Sequence, residues 1–134
     1  MKKILIAIAH KLSMDQLLEL GSLYPDYCIE TLEGVNPSLH KTLSLSCPDN
    51  VNELNKLALE LCDILTDYAV VLLPIGSPAF NFALAINIHS NKNKIWSLEV
   101  LFSHSEKVSV EKVVDNKTVK TNEFKHKKFI TFNQ

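Results

Sequence analysis

Apolar residues along the chain alternate between short continuous runs and helical spacing, and the two rhythms take turns. Lys3–His10 (KILIAIAH) is almost continuously apolar, the pattern of a strand buried on both faces. Ser13-Met14-Asp15-Gln16 has capping-box spacing and predicts a helix through Leu20, closed by Gly21. Tyr27–Leu32 reads as a second strand, and Gly34 to Pro48 as an irregular loop with at most one helical turn, long and polar enough for a lid. Asp49 or Asn50 caps a helix that carries Leu54, Leu57, Leu61 and Leu65 down one side. Tyr68–Leu73 is a third buried strand stopped by Pro74 and Gly76. Ser77-Pro78 then opens a helix to about His89, and Ile95–Phe102 forms a fourth strand.

This βαβαβαβ order predicts an α/β fold, a Rossmann-like, mostly parallel sheet flanked by helices. The tail changes character. Val108, Val110 and Val113–Val114 lead to a turn at Asp115-Asn116-Lys117, Thr118–Thr121 return, and Phe124–Phe132 supplies a last strand. That predicts a C-terminal antiparallel hairpin and strand extension. Without internal repeat or flexible linker, residues 1–134 read as a single domain.

Charge changes the picture more than composition does. The chain is 46% hydrophobic and 22% charged, within the range of ordinary globular proteins. Its near-neutral total hides a polarity. Residues 92–134 hold nine Lys and five acids, net +4; residues 1–91 hold five Lys and ten acids, net −5. A clustered positive lobe suits an anionic ligand. All fourteen basic residues are Lys, which suit phosphate oxygens as point charges and read base edges poorly, so a DNA site is disfavoured. The longest apolar run, Tyr68–Ile75, is too short to span a bilayer. The start, MKKILIAIAHK, is broken by His10 and Lys11 and reads as a strand rather than a signal peptide. Cys28, Cys47 and Cys62 form an odd count without CxxC spacing, as expected of reduced thiols in a cytoplasm.

Ligands of open parallel sheets sit beyond the carboxyl ends of the strands. Three polar clusters fall there: His10-Lys11, Gly76-Ser77 and Ser103–Lys107, the last including Ser105. Gly76 allows close backbone approach, and the helix after it offers N–H groups to an anion. Ser77 serves equally well as the cap of that helix. His10 is a candidate general acid or base, although a lone His at a strand end is more often an edge residue. Lys11 and Lys107 are by default solvated charges, and the lysine run an edge device against aggregation. His126, between Lys125 and Lys127, either faces solvent or faces the site. The chain has neither a Walker loop nor a GxGxxG turn, and its five His lack metal-ligand spacing, so neither cofactor nor metal is expected. None of the clusters contains a carboxylate except the acid at Glu106, and the cysteines lack basic neighbours. The chemistry left is electrostatic and positional: Lys and His groups orienting a ribose 2′-hydroxyl toward a phosphodiester.

Two segments carry a resemblance. SEKVSVEKVVDNKTVKTNEFKHKKF, through Lys107, Glu111, Lys120, Phe124, Lys125, His126 and Phe129, resembles the carboxyl end of the small CRISPR-associated ring nucleases, single CARF-like Rossmann domains. Ala9-His10-Lys11-Leu12-Ser13 with Gln16 resembles the same family's S-H-K-L-T opening, and LLPIGSPAFNFAL its Gly-rich turn. Two positions depart: Gly76-Ser77-Pro78-Ala79 stands where the family has G-D-x-G, and Lys107 where Arg is common. The resemblance implies a cytoplasmic homodimer that binds cyclic oligoadenylate, the tetramer above all, across its two-fold axis. It would linearise the ring without metal by 2′-hydroxyl attack, switching off type III CRISPR signalling. Lys11 and Lys107 would stabilise the phosphorane, with Gly76, Ser77, Ser103 and Ser105 binding substrate. His10 would carry the proton, with His126 second. Two rivals stand beside it: a sponge or sensor that binds the ring uncut, and a basic-edged protein-interaction domain.

Overall fold

The computed structural model describes residues 2–90 and 97–133. It contains β1 (Lys3–Ile6), α1 (Met14–Leu23), β2 (Cys28–Thr31), α2 (Leu32–Val35) and α3 (Pro37–Leu45). These are followed by α4 (Val51–Leu65), β3 (Val70–Leu73), α5 (Pro78–Ser90), β4 (Glu99–Val114) and β5 (Lys117–Asn133). The five strands form one sheet in the order β2-β1-β3-β4-β5. The first four are mutually parallel and β5 runs antiparallel to β4. The α/β, Rossmann-like reading with a C-terminal hairpin therefore holds. Among the described residues, no helix is long and apolar enough to cross a membrane.

Strand alternation splits the core. Ile4, Ile6, Val70, Leu72, Leu101 and Phe129 point to one face, where Leu20 of α1 covers them. Leu5, Val71, Leu73 and Val100 point to the other, against Leu32, Leu39, Leu43, Leu61 and Phe80 from the remaining four helices. Helices on both faces explain why β3 is buried at all four residues. β1 leads through α1 to β2 on one side, while the chain crosses to β3 on the other. The order thus reverses between β1 and β3, the place at the carboxyl edge where open sheets of this kind commonly take ligands.

β1 ends at Ile6, short of the expected His10, and further boundaries differ as well. Helix α1 runs past Gly21 to Leu23, because the Tyr24 N–H still reaches Leu20 O at 2.9 Å. The expected loop from Gly34 to Pro48 is largely helical: Thr31 caps α2, and Asn36 with Pro37 at the first turn starts α3, which buries Leu39 and Leu43 at i, i+4 spacing. The fourth strand, the hairpin and the last strand are not three pieces but two long strands paired from Glu99↔Asn133 to Val114↔Lys117. Asp115 (φ 51°) and Asn116 (φ 63°) make the two-residue turn, a left-handed pair that Asp and Asn tolerate. The expected start of strand four, Ile95-Trp96, lies outside the described residues.

β3 pairs with β4 only over Glu99–Phe102. Beyond Ser103 the β4–β5 pair continues past the sheet as a two-stranded arm of about 35 Å at the usual rise. A bulge at its root sets His104 against Lys128 and Ser105 against His126, leaving Lys127 as the extra residue.

Candidate functional site

At the carboxyl ends of β1 and β2 a cavity of about 340 Å³ is walled by Ile6, Ile8, Leu12, Leu17 and Ile29. Its polar members are His10, Lys11, Thr31, Glu33 and His40. Apolar walls with a few convergent polar groups are the usual build of a small-molecule site. The exposed His10 ring lies with Nδ1 2.9 Å from the Lys11 carbonyl, so that nitrogen is the donor and Nε2 is left as the acceptor. His40, brought in by α3, has Nε2 3.1 Å from the Ile8 carbonyl. His40 and Glu33 were missed by sequence reasoning. His40 falls in the segment read as a loop and Glu33 just before it, and only the caps Thr31 and Asn36-Pro37 signal that helices bring this stretch back to the sheet edge.

Gly76 and Ser77 follow β3, on the other side of β1 from that cavity and outside its lining. Gly76 has φ +69°, and a Cβ there would meet Leu43 O at 3.0 Å and Cys47 Sγ at 3.2 Å, so the position requires glycine. Ser77 Oγ accepts the Phe80 N–H at 3.1 Å, capping α5, and lies 3.4 Å from Cys47 Sγ. Asn81 pins the turn from within α5. Its amide donates to Ile75 O (2.7 Å) and Ser77 O (2.9 Å) and accepts from Ile75 N–H (3.2 Å). The turn that presents Gly76 is thus held from three directions.

Ser103 and His126 come together, and His126 faces inward with a side chain only 7% exposed. Gln16 Nε2 donates to Ser103 Oγ (3.2 Å), Ser103 Oγ lies 2.5 Å from His126 Nδ1, and His126 Nε2 lies 2.9 Å from Glu19 Oε1. Glu19 Oε2 accepts the Phe129 N–H at 2.7 Å. With the ring proton on Nε2, every donor in the chain meets an acceptor: amide to hydroxyl, hydroxyl to imidazole, imidazole to carboxylate. The order acid–imidazole–hydroxyl is also that of an activated nucleophile. The cavity lining, however, includes none of these residues, nor Gly76, Ser77, Ser105 or Lys107. As arranged, the four side chains brace α1 to the root of the arm.

Glu19 is an acid that none of the sequence clusters contained. Its signal is faint: a Gln and a Glu three apart on a helix whose neighbouring face is apolar. Ser105 and Lys107 are exposed on the arm, paired with His126 and Phe124. No group of three or more His, Cys, Asp or Glu among the described residues is arranged to hold a metal ion.

The topology and this edge define a class: an open, doubly wound α/β domain with a cavity at the carboxyl ends of β1 and β2. No protein-family model matches the chain, no curated protein matches it, and no solved structure matches it.

Proposed function

We propose that this protein binds cyclic oligoadenylate, the tetramer first, and linearises it as a cytoplasmic, homodimeric CRISPR-associated ring nuclease. The observation that carries the reading is the cavity at the carboxyl ends of β1 and β2 with His10, Lys11 and His40 on its wall, beside the Gly76 turn and the N-terminus of α5 that follow β3 at the same sheet edge. The first offers a cation and an imidazole, the second the positive end of the α5 dipole to a phosphate, with the Phe80 N–H itself taken by Ser77 Oγ. In the reaction, a ribose 2′-hydroxyl attacks the adjacent phosphorus while the bond from phosphorus to the 5′-oxygen breaks. His10 takes the hydroxyl proton, and His40 across the cavity returns one to the 5′-oxygen. Lys11 neutralises charge building on the phosphorane. The products are a 2′,3′-cyclic phosphate and a free 5′-hydroxyl, so atoms balance without water or metal.

A second reading has its own support. Ser103 and His126 are engaged with Gln16 and Glu19, and Lys107 stands on the arm, which leaves fewer groups for turnover. A pocket of that kind captures the ring without cutting it. Labelled cyclic tetra-adenylate incubated in EDTA under single-turnover conditions separates the two. Linear products lost in His10→Ala and Lys11→Ala support the nuclease, and a ring that stays bound and intact supports the sponge. A ring neither bound nor cut sinks both.

A further inference from the structure

A second cavity, of about 310 Å³, lies on the opposite side of the molecule from α1, between α5 and the β4–β5 edge of the sheet. Asn81, Ala85 and Ile88 wall it from α5, and Val100, Phe102 and Phe132 from the strands. It shares no lining residue with the cavity that holds His10 and Lys11. The three helix residues fall at i, i+4 and i+7, one face of α5 over about 10 Å. Val100 pairs directly with Phe132, and Phe102 follows on the same face of β4.

The chemistry of these walls selects the occupant. None of the lining side chains is ionisable, and α5 carries no Lys, Asp or Glu from Pro78 to Ser90. The one polar wall residue, Asn81, has its amide committed to Ile75 and Ser77. Water in this cleft finds few partners, so an apolar body that displaces it gains affinity. The volume is about twice the roughly 150 Å³ cavity that takes one benzene, which is room for two fused rings. Phe102 and Phe132 already stand edge to face, centroids 6.0 Å apart, and Phe132 is 56% exposed, leaving ring surface for a third aromatic. We propose that this cleft binds a neutral, flat, two-ring molecule, and that its occupancy steadies the Gly76 turn through Asn81. Asn81 belongs to both places: it walls the cleft and pins the turn, so an opening of the turn that moves Asn81 also loses the ligand.

The site does not depend on the function proposed above, and its test uses no ring nucleotide. 2-Naphthol is the neutral probe and 2-naphthalenesulfonate its charged counterpart, both titrated into the full chain by calorimetry and methyl NMR. Naphthol is expected to bind with a dissociation constant on the order of 0.1 mM, moving the Ile88 and Val100 methyl signals, and the sulfonate at least tenfold more weakly. Ala85→Phe fills the cleft from an exposed helix position and should weaken naphthol more than tenfold. Phe132→Ala removes one wall and should weaken it about tenfold. Melting temperatures within a few degrees of wild type would show that both variants are folded. Amide exchange at Gly76 and Ser77 should slow up to about tenfold with naphthol at ten times its dissociation constant. No binding at millimolar naphthol, or binding unchanged in both variants, overturns the site. So do a preference for the sulfonate and shifts centred on Ile8 and Ile29, which would place the probe in the other cavity beside Lys11. Uptake that appears only on dilution hands the cleft to a second copy of the chain and overturns it too. Binding without any change in exchange at Gly76 and Ser77 overturns the coupling through Asn81.

Discussion

Removing the Glu19 carboxylate should loosen the arm from the body, and the structure sets the size of the effect. Glu19 accepts two hydrogen bonds from β5, one from the nearly buried His126 ring and one from the Phe129 backbone. Glu19→Ala strands both donors, at about 1–3 kcal/mol each. The carboxylate side chain is 26% exposed, so water entering the gap recovers part of that loss. The net is about 3 kcal/mol, or a fall in Tm of roughly 10 °C for a domain of this size. Glu19→Gln keeps one oxygen acceptor and should lose about half as much. Urea unfolding followed by circular dichroism gives the stabilities, and amide exchange at Phe129 locates the change. A double-mutant cycle with His126→Ala should show coupling of about 1 kcal/mol or more. Glu19→Ala within about 1 kcal/mol of wild type would refute the brace, as would Glu19→Gln being no better tolerated than Glu19→Ala.

Other sites give independent checks. Gly76→Ala forces a left-handed alanine whose Cβ crowds Leu43 O and Cys47 Sγ, and should cost about 2–3 kcal/mol in the same unfolding assay. Ser77→Asp keeps an oxygen to cap α5 and so holds stability within about 0.5 kcal/mol, yet its charge on the anion-facing turn should weaken ring binding about tenfold by calorimetry. Burial, and then the neighbouring Asp63 charge, push the Cys62 thiol up to about 11, so a thiol reagent near neutral pH should label Cys28 and Cys47 in the native protein and Cys62 only after unfolding. The same shift has a sign. The folded state holds the Cys62 proton more tightly than the unfolded chain, so stability is full below pH 9 and falls as pH climbs from 9 toward 11. Cys62→Ala should flatten that part of the pH profile. From about pH 10 upward, Tyr24 and Tyr68 add to the fall, since burial and hydrogen bonds to Glu99 and Glu30 hold both phenols above their ordinary value of 10.0.

The element order was legible because each strand and long helix carries its own period. Lys3–His10 and Tyr68–Leu73 are apolar on both faces because helices cover both faces, and the leucine stripe of α4 needs no tertiary information to be seen. The short helices α2 and α3 were not legible from apolar period, since between them they bury only Leu32, Leu39 and Leu43; their evidence is in their caps. The hairpin was legible as a turn but not in its length. Alternation along a ribbon exposed on both sides carries no apolar stripe to mark where the sheet ends and the arm begins. At the site, position along the strands correctly put His10, Lys11, Gly76, Ser77 and Ser103 at one sheet edge. It could not tell which of them face a cavity.

Helix α1 shows why. It buries Gln16 beside Leu20 and leaves Met14 70% and Leu18 66% exposed, a partial inversion of what amphipathic reading expects. The inversion makes sense only once β5, more than a hundred residues later, brings His126 and the Phe129 N–H against the polar side of the helix. Apolar contact at that joint would let the arm slide or tilt, because hydrophobic attraction has no direction. A chain of hydrogen bonds from Gln16 through Ser103 and His126 to Glu19 has one good geometry. It therefore fixes the angle at which the arm leaves the sheet, and with it what the arm can reach beyond the sheet edge. Polar residues at this joint set an orientation that leucines could not, and the exposed apolar side of α1 follows from turning its polar side inward.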